Sequence, residues 1–154
     1  MTKKFKTSYN KPMKANQIQI NCYFKHPKTL TLDCEAFIRQ VLAIKELTEG
    51  LYDFNFISNT EIIAINKRYL QRDYATDIIS FNLGDKKKPI GDIYISIDMA
   101  IENASYYKHS LEDEIKLLLV HGILHLLDYR DYTDAEKETM FAEQDRILRL
   151  IDHV

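Results

Sequence analysis

Cysteine is scarce in this 154-residue chain, long apolar runs and an excess of either charge are missing, and each shortage removes a class of protein. Cys22 and Cys34 are the only cysteines; neither belongs to a C-x-x-C pair, and two thiols make no disulfide framework. They read as reduced thiols. No segment approaches the ~20 apolar residues of a membrane span, so no membrane is expected among its partners. The N-terminus has no apolar run of the kind a secretion signal carries, which points to a cytoplasmic protein. A formal net charge of −2 exerts no overall pull toward nucleic acid or lipid. No linker, repeat or low-complexity segment divides the chain, and a single domain over residues 1–154 is expected.

What is present is enough apolar material, 45% of residues, for a substantial core. Two basic clusters stand out: Lys3, Lys4, Lys6, Lys11 and Lys14 in residues 1–16, read as a loose tail, and Lys86 to Lys88. Residues 17–24 alternate as a half-buried strand does. Asp33 caps a predicted helix running to about Glu49, which Gly50 ends. Residues 51–57 read as a second strand. Ser58-Asn-Thr-Glu61 is a capping box opening a helix through Tyr69. Residues 76–83 and 89–96 form two strands joined by the lysine loop, close enough for an antiparallel hairpin. Helices follow from Asp98, after Ser110, and after the capping box Thr133-Asp-Ala-Glu136. The order β-α-β-α-β-β-α-α-α predicts an α+β fold, with one mixed four-stranded sheet, helices packed on it, and a metal-binding helix near the centre.

That central helix carries His121-Gly-Ile-Leu-His125-Leu-Leu-Asp-Tyr-Arg-Asp131. A spacing of four places the two imidazoles one turn apart on one face, where they can chelate a cation. Asp131 follows past the expected helix end, and a chain turning back there brings its carboxylate to the same ion. Three protein ligands with one open position is the arrangement of a catalytic zinc site. The competing reading is a pair of core histidines satisfied by backbone carbonyls. Zinc on such ligands acidifies water and polarises a carbonyl or phosphoryl oxygen, so hydrolysis is the default class. A metallopeptidase of the H-E-x-x-H type needs a glutamate after the first histidine, and Gly122 has no side chain to offer. Backbone approaching closely is the expected reason for a glycine inside this helix. Glu114 reads either as support for the ligands or as a solvated helix charge. Asp128 is the carboxylate near enough in sequence to propose as a base.

The segment 66–81 joins a helix to a strand, a favoured position for functional residues. Arg68 and Arg72 there can contact phosphate, while Asp73, Thr76 and Asp77 fit either the site or ordinary turns.

Together these pieces resemble the YbeY family of bacterial rRNA maturation endoribonucleases, whose hallmark is a string of the form HGxLHLxGYDH. The likeness runs upstream through Thr76-Asp-Ile-Ile-Ser-Phe81, Gly91-Asp-Ile-Tyr-Ile-Ser96 and Glu114, covering about residues 52–150. The resemblance implies a zinc ion, ribosomal RNA and the ribosomal subunit as partners, and action at the 3′ end of small-subunit RNA. By position, His121 and His125 match the first two metal ligands, and Asp131 stands where the third is usually histidine. Asp128 replaces the motif's glycine. An arginine proposed to act on the phosphate falls at Leu70, and Arg72, two residues on, is the candidate substitute. The rivals are a zincin-like hydrolase or peptidase and a non-catalytic ribosome-associated RNA-binding module.

Metal analysis by plasma mass spectrometry, on protein purified without added metal, is expected to give about one zinc per chain and a large loss in Asp131→Ala. No metal in either folded protein would return the histidines to core packing.

Overall fold

The computed structural model describes residues 17–152; the segment 1–16, expected to be a loose tail, lies outside the described residues. The elements are β1 (Ile18–Phe24), α1 (Cys34–Ile44), β2 (Gly50–Ile57), α2 (Asn59–Leu70) and β3 (Ile78–Asn82). They continue through β4 (Ile90–Ser96), α3 (Ile97–Tyr107), α4 (Leu111–Leu126) and α5 (Asp134–Asp152). The four strands form one sheet in the order β1-β2-β4-β3. β1, β2 and β4 run parallel, and β3 pairs antiparallel with β4, as the short lysine loop requires. The fold is α+β with a single mixed sheet. No helix among the described residues is long and apolar enough to cross a membrane.

β2 is flanked on both edges, and all eight of its residues are buried. Tyr52, Phe54 and Phe56 alternate onto one face and enter the main core with Phe37, Ile38 and Val41 of α1 and the apolar side of α4. Met140 and Ile147 of α5 close that layer. On the other face, Ile62 of α2 packs on Ile57, Ile79 and Tyr94. The same face also holds polar groups in pairs between strands and along β4. Asn21 Nδ2 donates to Asp53 Oδ1 (2.8 Å), Asn55 Nδ2 to Asp92 Oδ1 (3.2 Å), and the Tyr94 hydroxyl to Asp92 Oδ2 (2.8 Å). Burial pushes the Cys22 thiol up to about 12 and the Cys34 thiol up to about 11, so both are poor nucleophiles.

Most helix starts follow their capping residues: Asp33, Ser58, Ser96 and Ser110 each accept from a first-turn amide. The helix ends do not follow glycine. α1 stops at Ile44 rather than near Glu49, because Glu46 takes a left-handed φ of 58° and the Leu47 amide reaches back to Leu42 (2.9 Å). Gly50 instead opens β2 at φ 134°, where a Cβ would lie 2.8 Å from the Pro89 carbonyl oxygen. With four glycines in the chain, left-handed closures also fall on Gln71, Lys108 and Asp128.

The end of α1 is fastened to α5 by Lys45, whose Nζ lies 2.5 Å from Glu143 Oε2 and 3.0 Å from the Tyr129 hydroxyl. Hydrogen bonds from Arg146 first, then from Lys45, hold the Glu143 carboxyl down to about 2 against the opposing effect of burial. Burial lowers Lys45, and its bonds to Glu143 and Tyr129 outweigh that to leave it raised. A carboxyl depressed in the folded state adds stability that is full above its unfolded value, near ~4.3, and is lost as pH falls through the folded value. Glu143→Gln is therefore expected to lower stability at pH 7 by about 1–3 kcal/mol, with both sides of the pair only partly screened. Denaturant unfolding should show the two proteins converging between about pH 5 and pH 2; a pH-independent difference would mean the charge is not what matters.

Candidate metal centre

α4 reaches the site because of how it sits on the sheet. Gly122 faces β3 and β4 so closely that a Cβ would lie 3.0 Å from Ile78 Cδ1 and 3.3 Å from Ile93 Cδ1. The close approach is by side chains of the sheet rather than by backbone. Two polar groups of β3 then bind α4 carbonyls: Ser80 Oγ donates to Gly122 O (3.3 Å) and Asn82 Nδ2 to Leu126 O (3.1 Å). This fixes the last two turns of the helix, and with them His121 and His125.

The two rings stand edge to face with centroids 4.5 Å apart, and their Nε2 atoms are 2.9 Å from each other. Asp131 Oδ2 is 3.7 Å from both. Within the described residues, these three side chains form the one cluster of this kind with ligand atoms within 4.8 Å of one another. The other ring nitrogens are engaged: His121 Nδ1 donates to Gln144 Oε1 (2.5 Å) and His125 Nδ1 to the Tyr129 carbonyl (3.1 Å). Donation from Nδ1 leaves a lone pair on Nε2 of each neutral ring. Two lone pairs and a carboxylate thus converge on one point, an arrangement that repels itself without a cation. Burial holds His125 below the usual histidine range; His121 adds to this, while Asp131 and the Tyr129 carbonyl oppose it. A neutral imidazole is the form a metal takes. The donor set fits one divalent cation.

Asp131 gets there because α4 closes in a Schellman turn. Asp128 takes φ 67°, its amide bonds His125 O (3.1 Å), and the Tyr129 amide bonds Leu124 O (3.1 Å). The reversed chain returns Asp131 past the histidines before the Thr133–Glu136 capping box opens α5. Asp128 itself is spent on this turn and lines a separate depression with Leu127, Tyr129 and Arg130. It is not in the cleft with the histidines, which removes it as a base.

That cleft, about 390 Å³, is lined by His121, His125 and Asp131 on one side and by Asn66, Arg72 and Asp77 on the other. Leu70 and Thr76 also face it. Arg72 is exposed at its edge, immediately after the left-handed Gln71. Arg68 instead lies over the Tyr69 ring, 5.5 Å from its centroid. Glu114 is neither a solvated charge nor a partner of the two histidines. It is buried, with His109 Nε2 2.7 Å from Oε1 and Asn103 Nδ2 3.3 Å from Oε2. The residue that orients His121 is Gln144, which sequence reasoning passed over. Its signal was there: Met140, Gln144 and Ile147 share the buried side of α5, so an amide sits where a hydrocarbon is expected.

Gln144→Leu keeps the volume and removes the acceptor for His121 Nδ1. Metal affinity, measured by competition with a chelating dye, is expected to fall about 10–100-fold. Unchanged affinity would show that the ring needs no such orientation.

The family model and the curated relatives name one family. A family model described as Endoribonuclease YbeY matches residues 16–152. Endoribonuclease YbeY of Acholeplasma laidlawii is 44% identical over 128 residues, covering 82% of this chain and 92% of that protein. Its counterpart in Halalkalibacterium halodurans is 38% identical over 142 residues, covering 80% and 89%. The solution structure of a Thermotoga maritima protein aligns with a TM-score of 0.59 at 26% identity, over 85% of this chain and 86% of that one. With this match along nearly all of the described residues, and with relatives at these identities, the chain belongs to the YbeY family.

Proposed function

We propose that this chain is a zinc-dependent endoribonuclease, acting on single-stranded RNA in ribosomal RNA maturation and ribosome quality control. The observation that carries the reading is the meeting of His121 Nε2, His125 Nε2 and Asp131 Oδ2 in a cleft edged by Arg72. The name of the curated relatives, Endoribonuclease YbeY, supports the reaction class. One domain over residues 1–154, a cytoplasmic location, and ribosomal RNA and the ribosomal subunit as partners belong to the same reading.

His121, His125 and Asp131 would hold the zinc ion, which when bound polarises a phosphoryl oxygen and makes water more acidic. The rest is done by the chain. Gln144 and the Tyr129 carbonyl keep both rings in the tautomer that presents Nε2. Arg72 supplies a forked cation to the non-bridging phosphate oxygens, a role for which the guanidinium plane is suited. Its position two residues after Leu70, which stands where the family motif has arginine, keeps a positive charge in the cleft wall. A cleft of about 390 Å³ is of the size that takes a small ligand, which favours an unpaired nucleotide over a duplex. Gly122 leaves a peptidase without its usual base.

A labelled single-stranded rRNA fragment and casein, offered to the same preparation, test the reading. RNA cleavage is expected, to be lost on chelation, restored by zinc and absent in His125→Ala, with casein untouched. Arg72→Ala is expected to slow cleavage by about 10²–10³-fold, the scale of removing one group that stabilises developing charge. RNA binding with no metal-dependent turnover, or digestion of casein, would overturn the assignment; Arg72→Ala at full rate would remove Arg72 from it.

A further inference from the structure

A second depression, of about 730 Å³, opens between α3, α4 and α5. It meets the histidine cleft at Asp77 and His121, which line both. A strand of RNA with its phosphate beside His121 therefore has this cavity within reach of its neighbouring nucleotide.

The lining says what part of a nucleotide fits. Tyr107 and Phe141 stand at its mouth, 64% and 57% exposed, two large aromatic faces left in water where one helix side would ordinarily turn them in. Tyr107 lies roughly parallel to the His109 ring, 6.2 Å between centroids at 30°. Leu118 closes the floor. The polar part is a connected set: His109 on Glu114 (2.7 Å), and Asn103 Nδ2 on both Glu114 Oε2 (3.3 Å) and Asp77 Oδ2 (3.2 Å). Glu114 is almost fully buried, yet it opens on a cavity and belongs to none of the contacts that orient His121 or His125. The three carboxylates of Asp77, Glu114 and Asp145 line the space, and among the described residues no lysine or arginine does. A phosphate is repelled here. A flat, neutral group bearing N–H donors is not.

We propose that this cavity is a nucleobase subsite. It holds the base next to the nucleotide whose phosphate lies in the histidine cleft, stacked on Tyr107, with an exocyclic amino group turned to the Asp77 and Glu114 carboxylates that Asn103 bridges. Carboxylate oxygens accept more than one bond each, so the pairs already made leave room for an amino donor. Adenine and cytosine offer that amino group; uracil presents carbonyls there, which face carboxylates unfavourably. The subsite thus gives the cleavage a base preference. It rests on the endoribonuclease reading for its substrate, and on its own lining for the kind of base.

The test uses the metal-containing protein and fluorescein-labelled octauridylates carrying one adenosine, one cytidine or one abasic residue at each position in turn. Binding is read by anisotropy in the cold before any cleavage, and cut positions and rates by gel. Adenosine or cytidine at one fixed offset from the cut is expected to bind about 5- to 150-fold tighter than the abasic residue, the range for one stacked base. Tyr107→Ala should abolish that difference through KM with kcat little changed, and Tyr107→Phe should restore it. Tyr107 is exposed, so its removal leaves the core intact.

A wild-type protein that binds with the base preference and never cuts keeps the subsite and removes the endoribonuclease reading. Cutting with no preferred base at any offset, a preference that survives Tyr107→Ala, or no oligonucleotide binding at all overturns the subsite. So does spermine binding that Tyr107→Ala weakens in the absence of base preference, which would give the acidic cavity to a cation.

Discussion

The close seat of α4 on the edge of the sheet is the constraint from which the site descends. An α-carbon without a side chain at position 122 lets the helix settle onto Ile78 and Ile93, and the hydroxyl of Ser80 and the amide of Asn82 then pin its carbonyls. The Leu126 carbonyl lies in the last turn and lacks an intrahelical partner, so of these two bonds the one from Asn82 answers a need the helix has anyway. Their effect is also positional. The face of α4 bearing His121 and His125 is turned toward the cleft, while the opposite side, with Leu119 and Ile123, is buried in the main core. A helix that rode higher or rolled by one residue would break both the core packing and the pairing of the Nε2 atoms.

The parts of this arrangement legible in the sequence are those specified within a few residues. The capping residues marked helix starts, the lysine loop set the antiparallel β3–β4 pair, and the four-residue spacing put two imidazoles on one face. The proximity of Asp131 followed from a chain that had to reverse. What stayed hidden depends on neighbours from elsewhere in the chain. Glu114 stayed between ligand support and a solvated charge because nothing near it in sequence revealed His109 and Asn103 as its partners in a cavity wall. Gln144 lies 23 residues from the ring it orients. Gly50 was read as a helix stop because glycine usually is one, whereas the backbone of Pro89 is what excludes a side chain there. Local chemistry sets the elements; burial decides what each charge is for.

The departures from the family pattern become intelligible together. In the proposed reading, an aspartate where the family motif has a third histidine adds negative charge beside the imidazoles, and a positive group at the cleft edge offsets that for an anionic substrate. Arg72 is that group. Among the described residues, Arg72 stands beside Asp77 and Asp131 in the histidine cleft, whereas the cavity beyond His121 has three carboxylates and no lysine or arginine. In the proposed reading, a polyanion laid across them is sorted by part: phosphate toward the arginine, base toward the carboxylates.

The left-handed residues carry a last consequence. Gln71, Lys108 and Asp128 each hold a conformation that costs a non-glycine residue about 1–2 kcal/mol, and each directly precedes a residue of the groove or its support: Arg72, His109 and Tyr129. Glycine at these hinges would relieve the strain and also release the backbone from its rotational limits. Thermal hardiness and geometric fidelity therefore pull the same three positions in opposite directions. A lineage drifting toward glycine there would gain melting temperature at the expense of how firmly arginine, imidazole and carbonyl are aimed.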